Sequence, residues 1–86
     1  ALIRAKANLY LNQGLGVKEH AEHTDYPFKH KGALYSLNTC DGYTKIGEKK
    51  IPSVANRIIF FDPSVKHCST SCSDSKTRMN ININYF

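Results

Sequence analysis

A mainly β domain of the jelly-roll or sandwich type is what this sequence predicts, on three observations. Two long segments alternate apolar and polar residues with the period of two that a pleated strand requires. In the first, Ile3, Ala5, Ala7, Leu9 and Leu11 alternate with Arg4, Lys6, Asn8, Tyr10 and Asn12; in the second, Met79, Ile81, Ile83 and Tyr85 alternate with Arg78, Asn80, Asn82 and Asn84. No window sustains the 3.6-residue apolar period of a helix. Between the two segments lie short apolar runs separated by clusters of Gly, Pro, Asp and Ser, the pattern of several short strands joined by turns.

Taken in order, the first strand is expected over residues 3–11, ended by Gly14 and Gly16. A second is expected over 33–38 (ALYSLN). Asp41-Gly42 then reads as a turn that folds the chain back as a hairpin into a short strand at 44–46. Residues 47–52 read as a basic loop. Residues 57–61 (RIIFF) form the near-continuous apolar run of a buried strand, and Asp62-Pro63-Ser64 breaks it. Residues 68–77, rich in Ser, Thr and Asp, read as a loop leading into the last strand at 78–86. Both ends fall in or beside strands, so residues 1–86 are expected to form one domain, a truncated core without the N-terminal portion that would cover the sheet.

At 86 residues the core is thin, since a domain of this size buries only about 60–65 % of the surface its unfolded chain exposes. A composition of 41 % hydrophobic and 22 % charged residues is that of a globular chain and excludes a disordered or fibrous one. No apolar run approaches the roughly 18–20 residues of a membrane span, and the alternating start has no signal-peptide core, so a soluble protein is expected. Three cysteines, Cys40, Cys68 and Cys72, are too few and odd in number for a disulfide framework, which points to a reducing, cytoplasmic setting. The net charge of +5 suits a polyanion, but the basic residues are scattered and only Lys49 and Lys50 are adjacent. Nucleic acid as a partner therefore gets little support.

The chemistry lies in His23-Thr24-Asp25, followed far along the chain by His67 and then Arg78. Two His and one carboxylate make the facial triad of non-haem Fe(II) oxygenases, which fills three adjacent coordination positions and leaves others open. Residues i and i+2 of an extended segment point to one side, so His23 and Asp25 can reach one metal while Thr24 faces away. His67 follows the RIIFF strand, where a jelly roll brings it beside the first pair. Arg78 opens the last strand on its polar face, and a guanidinium grips a carboxylate with two parallel hydrogen bonds.

These residues, with ALYSLN and GYT at 33–44, VANRIIFFDPSVKH at 54–67 and RMNININYF at 78–86, resemble the double-stranded β-helix core of the Fe(II)/2-oxoglutarate-dependent dioxygenases, near the prolyl-4-hydroxylase-like branch. Asn8-Leu9-Tyr10 is similar to the N-x-Y strand of the nucleic-acid-demethylating branch, where such residues touch 2-oxoglutarate. Two positions depart from the prolyl-hydroxylase pattern: Ile46 stands where an aromatic residue is common, and Arg78 where Lys is used. The resemblance implies Fe(II) on His23, Asp25 and His67, and 2-oxoglutarate anchored by Arg78 with Tyr10, Asn8 and Asn80 beside it. It also implies O2 as oxidant with ascorbate as accessory reductant, and hydroxylation of a peptidyl, amino-acid or other small organic substrate with release of succinate and CO2.

Plainer readings stand beside these. His20 and His30 have no carboxylate two residues on and read as loop residues. Cys68 and Cys72 with His67 suggest zinc, but a structural zinc site needs four ligands, so the cysteines read as packing, Cys68 beneath the site. Asn80, Asn82 and Asn84 read as the solvated face of an edge strand, with lining of the cavity as the alternative for Asn80 and Asn82, and Tyr35 and Asn38 read as packing more than as pocket lining. Two alternatives in function remain: a non-catalytic β-sandwich binding module, and a cupin-like metalloenzyme that binds the same triad without 2-oxoglutarate.

Overall fold

A computed structural model describes residues 1–86. Seven strands and no helix make up the chain: β1 (Leu2–Leu11), β2 (Lys31–Ser36), β3 (Tyr43–Ile46), β4 (Lys49–Pro52), β5 (Ile58–Phe61), β6 (His67–Ser69) and β7 (Thr77–Tyr85). They form two antiparallel sheets, a larger one in the order β1-β7-β2-β5 and a smaller one in the order β4-β3-β6. This is a jelly roll, the fold class the two alternating segments predict. Those segments pair with each other, Asn8 opposite Asn80 and Tyr10 opposite Arg78, and β2 flanks β7 on its other side.

Three local expectations are corrected. The Asp41-Gly42 turn does not close a hairpin: β2 lies in the larger sheet and β3 in the smaller, so the turn carries the chain from one sheet to the other. The basic loop at 47–52 is largely strand, because Gly47, with φ 58°, opens a two-residue turn that pairs Ile46 with Lys49. Its two lysines suit an edge strand, where charge deters pairing with other chains. The RIIFF run is not a buried strand either, since β5 is the outer strand of its sheet and Phe60 is 69 % exposed.

The registers show which way the faces point. Cross-strand partners share a face, so the rows Arg4–Asn84–Gly32–Phe61, Lys6–Asn82–Leu34–Ile59, Asn8–Asn80–Ser36 and Tyr10–Arg78 lie on one side of the larger sheet. That side faces the smaller sheet. The other side carries Ala5–Ile83–Ala33–Phe60, Ala7–Ile81–Tyr35–Ile58 and Leu9–Met79, and Leu9, Leu11, Ile58 and Phe60 on it are exposed. The interior is accordingly polar: ten of the 18 buried residues are polar or charged, with Arg78, Asn80 and Asn84 among the largest, while the rest are Ala33, Leu34, Pro63, the three cysteines and two glycines. β7 is a central strand, so its Asn residues are interior groups rather than a solvated edge.

Candidate metal centre

Residues 12–30 carry two of the three triad residues and are held by the free edge of β6. His20 N–H donates to Ser69 O at 2.9 Å, and His23 and His67 exchange both backbone hydrogen bonds, each at 2.9 Å. His23 is thereby a cross-strand neighbour of His67, and Asp25 is fixed two residues on by its N–H to Pro63 O at 3.1 Å. Glu19 fastens the same segment from outside. The Tyr43 hydroxyl donates to its carboxylate, and Lys45 and Lys50 lie 4.0 Å away.

The Tyr43 hydrogen bond, followed by those two ammonium groups, holds Glu19 below the usual carboxylate range, and in return Tyr43 is pushed up to about 12. A depressed carboxylate stabilises the fold above its unfolded value and loses that effect as pH falls through its folded one. This tie therefore persists at neutral pH and is released in acid. The phenol absorbance of Tyr43 is expected to titrate near 12, and to return toward the ordinary 10.0 in Glu19→Gln.

His23, Asp25 and His67 converge as the sequence predicts. Their ligand atoms all lie within 4.8 Å of one another. Asp25 Oδ1 is 3.2 Å from His67 Nε2 and 3.6 Å from His23 Nε2, and the two imidazole centroids are 4.5 Å apart. Donors bound at about 2.1 Å to one ion at right angles stand about 3 Å apart, so small adjustments seat an octahedral cation. The tautomers agree with this. His67 Nδ1 is 2.7 Å from Val65 O and His23 Nδ1 3.3 Å from Ala21 O; as donors there, both rings turn bare Nε2 atoms toward the carboxylate. A bare nitrogen and a carboxylate oxygen at 3.2 Å repel unless a proton or a metal cation lies between them.

Around the triad is a layer that sequence reasoning missed. His30 Nδ1 donates to Phe28 O at 2.9 Å, leaving Nε2 to accept from Asn84 Nδ2 at 3.1 Å, while the other Asn84 N–H donates to Asp25 Oδ2 at 2.8 Å. His30, expected as a loop residue, is buried, and Asn84 is completely so. The signal for Asn84 was its parity with Arg78, which puts both on the inward face. Outer partners of metal ligands hold the ligating oxygen in place, and their loss typically costs about 10–100-fold in affinity. Asn84→Ala is expected to weaken binding of Mn(II) or Fe(II) by that factor in anaerobic titration, with His23, Asp25 and His67 intact.

A cavity of about 170 Å³ adjoins the triad, walled by Arg4, Lys6, Asn8 and Tyr10 of β1, Asn80 and Asn82 of β7, Leu34, Phe61, Thr44, Cys68 and Ser69. Asn8 Nδ2 donates to Asn80 Oδ1 at 3.0 Å. Cys68 is buried on this wall, and burial pushes its thiol pKa up, which keeps it protonated and inert. Tyr35 and Asn38 are not on the wall: the Tyr35 hydroxyl donates to Asn56 and Asn38 Nδ2 to Thr77 O at 2.8 Å.

Arg78 sits one layer behind the wall. It is 0 % exposed, donates to Ser69 Oγ, to Thr70 O at 3.1 Å and to Thr44 Oγ1 at 2.9 Å, and lies over the Tyr10 ring at 5.8 Å. Tyr10, Thr44 and Ser69 are themselves wall residues. Arg78 Nε is buried without a partner, and no ion pair of the chain includes Arg78. Burial draws its pKa down, yet a guanidinium does not deprotonate in a protein. Gly42 makes room for it, since a Cβ there would meet Arg78 Cδ and Ser71 O, both at 2.7 Å.

Fold and site together define a jelly-roll, double-stranded β-helix domain with a His-Asp-His cluster that could hold one metal ion. Among solved structures, a cupin protein from Bacteroides fragilis superposes with a TM-score of 0.67 at 18 % identity, over 94 % of this chain and 63 % of that one. The likeness establishes the fold. No family model matches the sequence, and no curated protein does. No helix is long and apolar enough to cross a membrane.

Proposed function

We propose that the protein is an Fe(II)- and 2-oxoglutarate-dependent dioxygenase that hydroxylates a C–H bond of a small-molecule or peptide substrate. The observation that carries this reading is Arg78, a buried guanidinium with no carboxylate partner and an orphaned Nε, behind the wall of a cavity that also holds a facial triad. A buried charge is costly unless paired, and the distal carboxylate of 2-oxoglutarate is a partner of the right sign. The donor set fits Fe(II): two imidazoles and one carboxylate suit it where a thiolate set would not, and the cysteines stand outside the cluster.

When bound, iron and 2-oxoglutarate supply the oxidative chemistry, in which one O2 converts 2-oxoglutarate to succinate and CO2 and leaves a hydroxyl on the substrate. The chain's own residues do the rest. His23, Asp25 and His67 hold the metal, Asn84 and His30 keep Asp25 oriented, and Leu34 and Phe61 give the cavity an apolar wall that limits water. Tyr10 and Thr44, next to Arg78, are suited to line the co-substrate's far end, with Asn8 and Asn80 between.

Anaerobic addition of Fe(II) and 2-oxoglutarate is expected to produce the weak visible charge-transfer band of the chelate, and air to yield succinate. Absence of the band from metal-loaded protein would rule the reading out. One observation favours a second reading, a cupin-like metalloprotein that does not use 2-oxoglutarate: both terminal nitrogens of Arg78 already have acceptors within the protein. In that case Arg78 is structural and its replacement leaves metal-dependent function in place.

A further inference from the structure

The cavity has two cationic ends, one near Arg78 and one bordered by Arg4 and Lys6. In the register of the larger sheet, Arg78 stands opposite Tyr10, whereas Arg4 stands opposite Asn84, the residue that hydrogen-bonds Asp25, and Lys6 opposite Asn82. Arg4 and Lys6 are therefore at the metal end and Arg78 at the other. Six residues of strand, about 20 Å at ~3.4 Å per residue, separate the Arg4 row from the Tyr10 row. The Arg78 side chain leans from its row toward the triad, donating to Ser69 Oγ two residues along β6 from His67, so a five-carbon diacid held between its guanidinium and the metal makes no use of Arg4 or Lys6.

Arg4 and Lys6 face no counter-charge of their own. Neither belongs to any ion pair of the chain, and the one carboxylate on the cavity wall is Asp25, which the triad uses. The Arg4 guanidinium is braced over the ring of Tyr26 at 5.5 Å, the residue after Asp25. Both side chains come from β1, the outer strand of its sheet, and both are exposed, so they border the open side of the cavity. Unpaired cations at the mouth of a low-dielectric cleft concentrate anions there and orient them.

We propose that the primary substrate of this site is a small anion, and that Arg4 and Lys6 hold its carboxylate or phosphate group beside the metal. The proposal rests on the dioxygenase reading for the metal and for the assignment of Arg78 to the co-substrate. It makes Arg4 and Lys6 determinants of substrate specificity: a neutral molecule of the same shape lacks the group they hold.

The test uses the full chain loaded anaerobically with Fe(II) and saturating 2-oxoglutarate, titrated in physiological chloride with inorganic phosphate and, in parallel, with acetate. Binding is followed by calorimetry and by perturbation of the charge-transfer band. The expected result is that at least one anion binds while 2-oxoglutarate stays bound, the preferred anion telling phosphate from carboxylate. The Arg4→Ala/Lys6→Ala double variant is expected to lose at least tenfold in that affinity, Lys6→Arg to keep it, and Fe(II) and 2-oxoglutarate affinities to stay within twofold. The proposal is overturned if neither anion binds, if the anion displaces 2-oxoglutarate, or if the double variant binds it as the native chain does. A native chain that shows no charge-transfer band overturns the dioxygenase reading instead; calorimetry on the Mn(II)-loaded protein then still reports whether Arg4 and Lys6 capture the anion.

Discussion

His67→Ala is expected to lose more than about 100-fold in Fe(II) affinity, and with it all metal-dependent turnover. Removing an outer partner of a metal ligand already costs about 10–100-fold, and His67 is itself a ligand candidate, with its ring nitrogen 3.2 Å from Asp25 Oδ1. His67 is also buried, so no solvent-exposed side chain can swing in to replace it. Its backbone carries the β6 hydrogen bonds to His23, which alanine retains, so the segment bearing His23 and Asp25 stays docked. The loss should therefore appear in an anaerobic Fe(II) titration with little change in the far-ultraviolet circular dichroism spectrum. Retention of native affinity would mean that the three side chains do not share one ion.

Arg78 separates stability from function when it is replaced in two ways. Arg78→Ala removes a completely buried side chain and leaves a cavity, together with three acceptors deprived of their donor; a cost of about 2–4 kcal/mol in urea unfolding is expected. Arg78→Met keeps most of the volume and deletes an unpaired buried charge but leaves the same three acceptors without their donor, so it avoids the cavity cost of alanine and should lose about 1–3 kcal/mol. Its affinity for 2-oxoglutarate should nevertheless fall at least about 100-fold, since truncating a buried charge partner costs about 3–5 kcal/mol of binding. Gly42→Ala, whose Cβ would press on Arg78 Cδ, should lower the same affinity without touching the charge. Native 2-oxoglutarate binding by Arg78→Met would leave the second, cupin-like reading standing.

How legible all this was in the sequence depended on the length scale of each feature. The period of two in β1 and β7 made the strands and their two faces visible, and the i, i+2 spacing made His23 and Asp25 visible as a pair. Periodicity does not say which face is inside. Here the polar faces turn inward because the cavity between the sheets must accommodate charge, and that follows only from the register of β1, β7 and β2. The contact of His30 with Asn84, and of Asn84 with Asp25, escaped notice because these residues lie 54 and 59 positions apart and meet only after the sheet has closed. The edge strands β4 and β5 misled in opposite directions: the lysines of one look like loop, and the isoleucines and phenylalanines of the other look like core.

Turning amides, hydroxyls and a guanidinium inward while aliphatic side chains stay in water has a calorimetric consequence. Unfolding raises heat capacity in proportion to newly hydrated apolar area and lowers it for polar area. This chain should therefore melt with an increment below the roughly 12–15 cal/mol/K per residue usual for globular proteins, giving a flat stability curve that neither chilling nor moderate warming bends much.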